Sequence, residues 1–155
     1  PQLHPADPIL RARNRAWTDY VSTFASAISQ AAYADGEEEF AKRATKIGEV
    51  FGKLEDALKK RGNNGPYFNG DKLSLVDAAY APFLQRYTFM DRLHPLGIIE
   101  KFPLLKAWRD ALLAAPAIKN STVANIEAVW QEGMITNNRW LKKFVSDSVL
   151  GAAAA

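Results

Sequence analysis

Leu73-Ser74-Leu75-Val76-Asp77-Ala78-Ala79-Tyr80-Ala81-Pro82-Phe83-Leu84 is the stretch on which the reading of this 155-residue chain turns. Ser74 stands at a helix N-cap, and Asp77, three residues on, is the acid of a capping box. The Ser74 hydroxyl can accept from the Asp77 amide while the Asp77 carboxylate accepts from the Ser74 amide, so side chains satisfy donors that the helix start leaves open. Leu73 and Ala78 occupy the two positions of a hydrophobic staple. From Ala78 to Met90 the helix is apolar almost all round, which outside a membrane predicts a central, buried element. Pro82 inside it frees the Ala78 carbonyl and predicts a bend.

Working outward, Pro66 to Leu73 is a short loop turning at Gly70, and an amphipathic helix precedes it. Asp35-Gly36-Glu37-Glu38 opens that helix with an N-cap and Glu38 as the reciprocal acid. Phe40, Ala44, Ile47, Phe51, Leu54 and Leu58 form its apolar face, and charge runs from Glu37, Glu38 and Glu39 to Lys59, Lys60 and Arg61, as the helix dipole favours. Gly48 and Gly52, four apart, predict a close helix crossing. Asp7-Pro8 starts a first helix to about Tyr33, with Ile9, Leu10, Trp17, Tyr20, Val21, Phe24, Ile28 and Ala31 on one side. After the central element, Phe102-Pro103 opens a helix that Pro116 closes, and two shorter periodic pieces follow, around Val123 to Trp130 and Asn138 to Val145. The expectation is an all-α, multi-helix bundle of six helices around the central one, without strands or repeats. One domain would span 1–149. Residues 150–155 would be a tail, with Ala152 to Ala155 as a tag or alanine tract.

Composition removes several function classes. The chain has no Cys, which excludes disulfides, zinc-thiolate sites and a cysteine nucleophile and fits a reducing, cytoplasmic setting. It contains no apolar run of about 20 residues and no signal-peptide core, so no membrane partner is expected. Lys+Arg 20 against Asp+Glu 17 gives +3. Those cations alternate with acids or gather at helix ends, a pattern that argues against nucleic acid. His4 and His94 have no acid at ligand spacing, so no metal is expected. Gly62-Asn63-Asn64-Gly65 lacks the Lys-Ser/Thr continuation of a phosphate loop.

The Asp7-Pro8 helix start, Tyr67-Phe68-x-Gly70-x-x-x-Ser74-x-x-Asp77-x-x-x-x-Pro82, Phe102-Pro103-x-x-x-x-Trp108 and Ala115-Pro116 together resemble the C-terminal helical domain of cytosolic glutathione transferases. The likeness is good over Pro5 to Lys119 and positional from Asn120 to Val149. It implies that the glutathione site and a catalytic Tyr, Ser or Cys lie on an N-terminal thioredoxin-like domain ahead of this segment, so no catalytic residue is assigned here. Pro1, without an initiator Met, agrees with a processed chain or fragment. By position in that family, Arg13, Trp17, Tyr20, Phe24 and Tyr87 are the candidate wall of the pocket for an electrophilic co-substrate. Aromatic faces suit planar apolar electrophiles, and Arg13 suits an anionic group. Trp17 and Phe24 also read as plain core. Ser74 and Asp77 are structural capping residues.

The resemblance further implies glutathione as co-substrate of the parent, detoxification chemistry, and either a homodimer or the missing thioredoxin-like half as partner. A non-catalytic alternative stays open. Similar helical domains serve as interaction modules in translation- and transcription-associated proteins. The face meant for the other half should be an exposed apolar patch.

Overall fold

A computed structural model describes residues 3–146. Among them are six α-helices and no strand: α1 (Pro8–Ala32), α2 (Glu37–Lys59), α3 (Leu75–Leu93), α4 (Pro103–Ala114), α5 (Pro116–Lys119) and α6 (Ile126–Thr136). Short 3-10 turns cover Ile99–Lys101 and Trp140–Phe144. The 150–155 tail lies outside the described residues.

Each helix start has a chemical cause. The Asp7 carboxylate accepts from the Leu10 amide at 2.8 Å, with Pro8 as the first helical residue. In α2 the expected cap is displaced by one residue: Gly36 is the N-cap, and Glu39 rather than Glu38 reaches back, accepting from the Asp35 amide at 2.8 Å. The Asp35 carboxylate pairs instead with Arg139, at 2.6 Å. At α3 both arms of the Ser74–Asp77 box are formed. The N-terminus of α4 has no side-chain cap of its own, and the buried Glu55 of α2 supplies one, accepting from the Leu105 amide at 2.9 Å.

α1 packs on both α2 and α3, and α4 closes the other side against the same two helices. An aromatic chain fills the space between them. Phe24 stacks on Phe51 at 5.7 Å and meets Tyr80 at 5.0 Å, Tyr87 stands edge-on to Phe51 at 4.8 Å, and Trp108 touches Tyr80 at 5.6 Å and Phe68 at 5.8 Å. Full burial of such rings removes roughly 150–250 Å² each from water, which makes this cluster the main apolar contribution to the fold.

Three expectations need correction. First, α3, which carries Pro82 inside it, is sealed along only one side, by Val76, Tyr80, Ala81, Leu84 and Tyr87. Leu75, Ala78 and Pro82, at helical spacing, form an exposed apolar stripe that no described element covers. Second, a Cβ placed on Gly52 would stand in ordinary contact with the Phe102 ring, at 3.7 Å, and one on Gly48 would meet nothing beyond its own helix within 4 Å, so the glycine pair does not mark a close helix crossing. Third, the piece from Asn138 onward is a 3-10 turn instead of an α-helix. Asn138 takes φ 55 and the Arg139 amide bonds the Met134 carbonyl, a left-handed terminator that ends α6. The single turn of α5, started by Pro116, was not foreseen.

Candidate functional site

Arg13, Trp17 and Tyr20 recur at four- and three-residue intervals on α1, so they project on one side of it. The structure places them along a groove of about 670 Å³ between α1 and α2, whose other wall is Lys53, Asp56, Ala57 and Lys60. Arg13 is anchored there: its Nη2 donates to the Ala57 carbonyl at 3.0 Å, and its guanidinium stands 5.9 Å from the Phe68 ring centroid. Trp17 and Tyr20 meet edge to face at 5.6 Å, and the Lys53 ammonium lies 5.4 Å from the Tyr20 ring. The Tyr80 hydroxyl donates to the Trp17 carbonyl at 2.7 Å, which ties this wall to the central helix.

The Tyr20 phenolic oxygen is buried without a hydrogen-bond partner. Burial raises its pKa above the ordinary value, an effect that Lys46 opposes and Glu49 reinforces. Tyr20 is therefore neutral at physiological pH, and its hydroxyl is enclosed rather than open to the groove. The groove offers two aromatic rings and three cations, against one acid that is already paired with Lys59. Such a surface suits an aromatic molecule with a polar or anionic substituent.

Phe24 and Tyr87 do not reach this groove. Both are fully buried in the core, and the Tyr87 hydroxyl accepts from the Ile99 amide at 3.3 Å and lies 3.4 Å from Asp91. Lys53 and Lys60 were missed because they sit on the polar side of α2, where their spacing reads only as a solvated face. A smaller hollow of about 150 Å³ lies at the far end of α1, between Ile28, Tyr33, Phe83, Arg86 and Trp130.

Ser74 and Asp77 are brought together as a structural lock. Asp77 is fully buried and accepts from the Phe68 amide at 2.8 Å, the Ser74 amide at 2.8 Å, the Ser74 hydroxyl at 2.6 Å and Trp108 Nε1 at 2.7 Å. Arg61 organises the loop in front of it, donating to the carbonyls of Asn63, Gly65 and Tyr67 at 3.2, 2.6 and 2.7 Å. His94 braces its loop, edge-on to Phe40 and Trp140 and tilted against Phe144. Among the described residues no group of three or more His, Asp or Glu could hold a metal ion, and no helix is long and apolar enough to cross a membrane.

Comparison with known proteins gives one consistent result. A family model described as "Glutathione S-transferase, C-terminal domain" matches residues 11–111. The probable glutathione S-transferase BZ2 of Zea mays is 33% identical over 122 residues, which are 76% of this chain and 52% of that protein. Glutathione S-transferase L1 of Arabidopsis thaliana is 36% identical over 110 residues, 70% of this chain and 43% of that protein. The crystal structure of a Tau class glutathione S-transferase from mango, Mangifera indica, superposes with a TM-score of 0.73 at 26% identity, covering 86% of this chain and 63% of that one. A trimeric glutathione transferase of Leishmania shares the fold, with a TM-score of 0.70 at 20% identity over 87% of this chain and 30% of that one. The chain spans about half the length of the curated relatives it matches.

Proposed function

The chain belongs to the glutathione S-transferase C-terminal domain family, and from that membership we propose that it is the helical half of an enzyme that transfers glutathione to an electrophile. In this reading the preceding half binds glutathione and holds its thiolate, and the α1–α2 groove holds the electrophile within reach. The contribution of this half is positioning: fixing the reacting carbon beside the sulfur turns a two-molecule encounter into one ordered complex. Trp17 and Tyr20 would hold the ring, and Arg13 or Lys53 would meet negative charge that builds as the thiolate adds.

The observation that carries the reading is the uncovered apolar stripe of Leu75, Ala78 and Pro82 on the central helix. Exposed Leu3 and Leu10 join it, since the Leu75 amide bonds the Leu3 carbonyl at 3.2 Å and both leucines border a second cavity that Arg13 also lines. Exposed apolar surface of this kind calls for a partner. The thioredoxin-like half would cover it, with the groove opening beside it at Arg13. In isolation the same surface would drive self-association, and a homodimer is the proposed state of the whole protein.

Conjugation of reduced glutathione to an aromatic halide by the intact protein tests this. Trp17→Ala should lower kcat/KM for the halide by about tenfold while leaving the affinity for glutathione unchanged. Equal losses on both substrates would contradict the assigned role. An intact protein that neither binds nor turns over glutathione would favour the interaction-module alternative.

A further inference from the structure

The cavity bordered by Leu3 and Leu10, of about 390 Å³, lies between the start of α1 and the loop joining α2 to α3, and it shares only Arg13 with the α1–α2 groove. Arg13, Arg61 and Lys72 all line it, and no Asp or Glu does. Neither arginine is held by an acid. Arg61 donates to the carbonyls of Asn63, Gly65 and Tyr67, and Arg13 donates to the Ala57 carbonyl and faces the Phe68 ring. Such neutral partners fix a cation in place and leave its charge uncompensated. Each guanidinium also keeps N–H groups beyond those it spends on carbonyls. Asp77, the acid that acts on Arg61, does not line the cavity, and its oxygens already accept from Phe68, Ser74 and Trp108. Burial lowers the Arg61 pKa, and Asp77 restores only part of it, so the charged form still lacks a counter-charge.

We propose that this cavity binds an aryl phosphate monoester. The phosphate sits among Arg13, Arg61 and Lys72, and the ring lies against the apolar wall of Leu10, Phe68 and Leu73. A guanidinium matches a pair of phosphate oxygens, and the near-dianionic head of a monoester offsets more of the three positive charges than a carboxylate does. The volume is within the roughly 300–1,000 Å³ of small-molecule sites. Nothing in this assignment depends on the transferase reading.

Calorimetric titration of the full chain with phenyl phosphate tests the proposal, with benzoate as the comparison because it carries the same ring and a single negative charge. Saturable binding of phenyl phosphate is expected, about tenfold or more tighter than benzoate. Lys72 is exposed, so Lys72→Gln removes its charge without disturbing the core, and affinity should fall by about threefold to tenfold. Arg13→Gln should lower it by about tenfold or more, with circular dichroism reporting that the variant is folded. Lys53→Gln, on the far wall of the α1–α2 groove, should bind phenyl phosphate as the wild type does. Absence of saturable binding, benzoate bound as tightly as phenyl phosphate, or wild-type affinity in Lys72→Gln overturns the proposal. So does a loss in Lys53→Gln as large as that in Lys72→Gln, since the anion then answers to general positive charge or sits in the groove.

Discussion

Asp77 joins three separate stretches of chain: the loop at Phe68, the helix start at Ser74 and α4 at Trp108. Removing it strands several buried donors at once, each costing about 1–3 kcal/mol. Asp77→Ala should therefore destabilise by about 3 kcal/mol or more, and Ser74→Ala, which loses only one arm of the box, by about 1–2 kcal/mol. Urea midpoints of the two variants check the order, and equal shifts would mean that the bonds to Phe68 and Trp108, more distant in sequence, contribute nothing. The Ser74–Asp77 pair was legible in the sequence because its chemistry is local. The bond to Trp108 was not, since 31 residues separate the partners and no local pattern carries such a pairing.

The buried phenols make a pH prediction. Burial, reinforced by the Asp91 carboxylate for Tyr87 and by Tyr20 for Tyr80, raises both pKa values above the ordinary value. An unfolded Tyr ionises near pH 10, so above about pH 10 the unfolded chain releases protons that the folded chain keeps. Stability is then full below about pH 10 and falls as pH rises beyond it. Urea midpoints measured across pH 8 to 11, as a working range, should be level and then decline, and Tyr87→Phe should decline less steeply. A profile flat to the alkaline end would contradict the buried, neutral state of these hydroxyls.

At the scale of elements, α4 shows how a helix can depend on another for its start. With no cap of its own, its first amides are met by Glu55, at 2.9 Å for Leu105 and 3.4 Å for Leu104. Glu55→Ala should cost about 2 kcal/mol and loosen α4 in particular, seen as faster amide exchange at Leu104 and Leu105. Exchange that rises evenly along the chain would show that Glu55 acts on the fold as a whole. In the sequence Glu55 is one more acid on an amphipathic helix. The partner lies 50 residues away, and so the cap could not be read.

Periodicity and caps did place α1, α2, α3 and α4, because an apolar face at helical spacing encodes its own burial. They misread α3 as sealed all round. No described element covers the stripe at Leu75, Ala78 and Pro82, and an apolar residue reads the same in a sequence whether its cover is local or belongs to a neighbour. The candidate site divided along similar lines. Arg13, Trp17 and Tyr20 share the groove, while Phe24, on the same face, turns into the core where α1 meets α2 and α3.

At the scale of the molecule, the family match, the half-length overlap with the relatives and the bare stripe on α3 converge on one claim. In the proposed function these helices position a substrate for a thiol chemistry that another domain would perform. Glutathione conjugation to an aromatic halide, measured on the intact protein and on this chain alone at equal concentration, tests that claim most directly. The account predicts turnover by the intact protein and none above the uncatalysed rate by the chain. Conjugation by the chain on its own would contradict it.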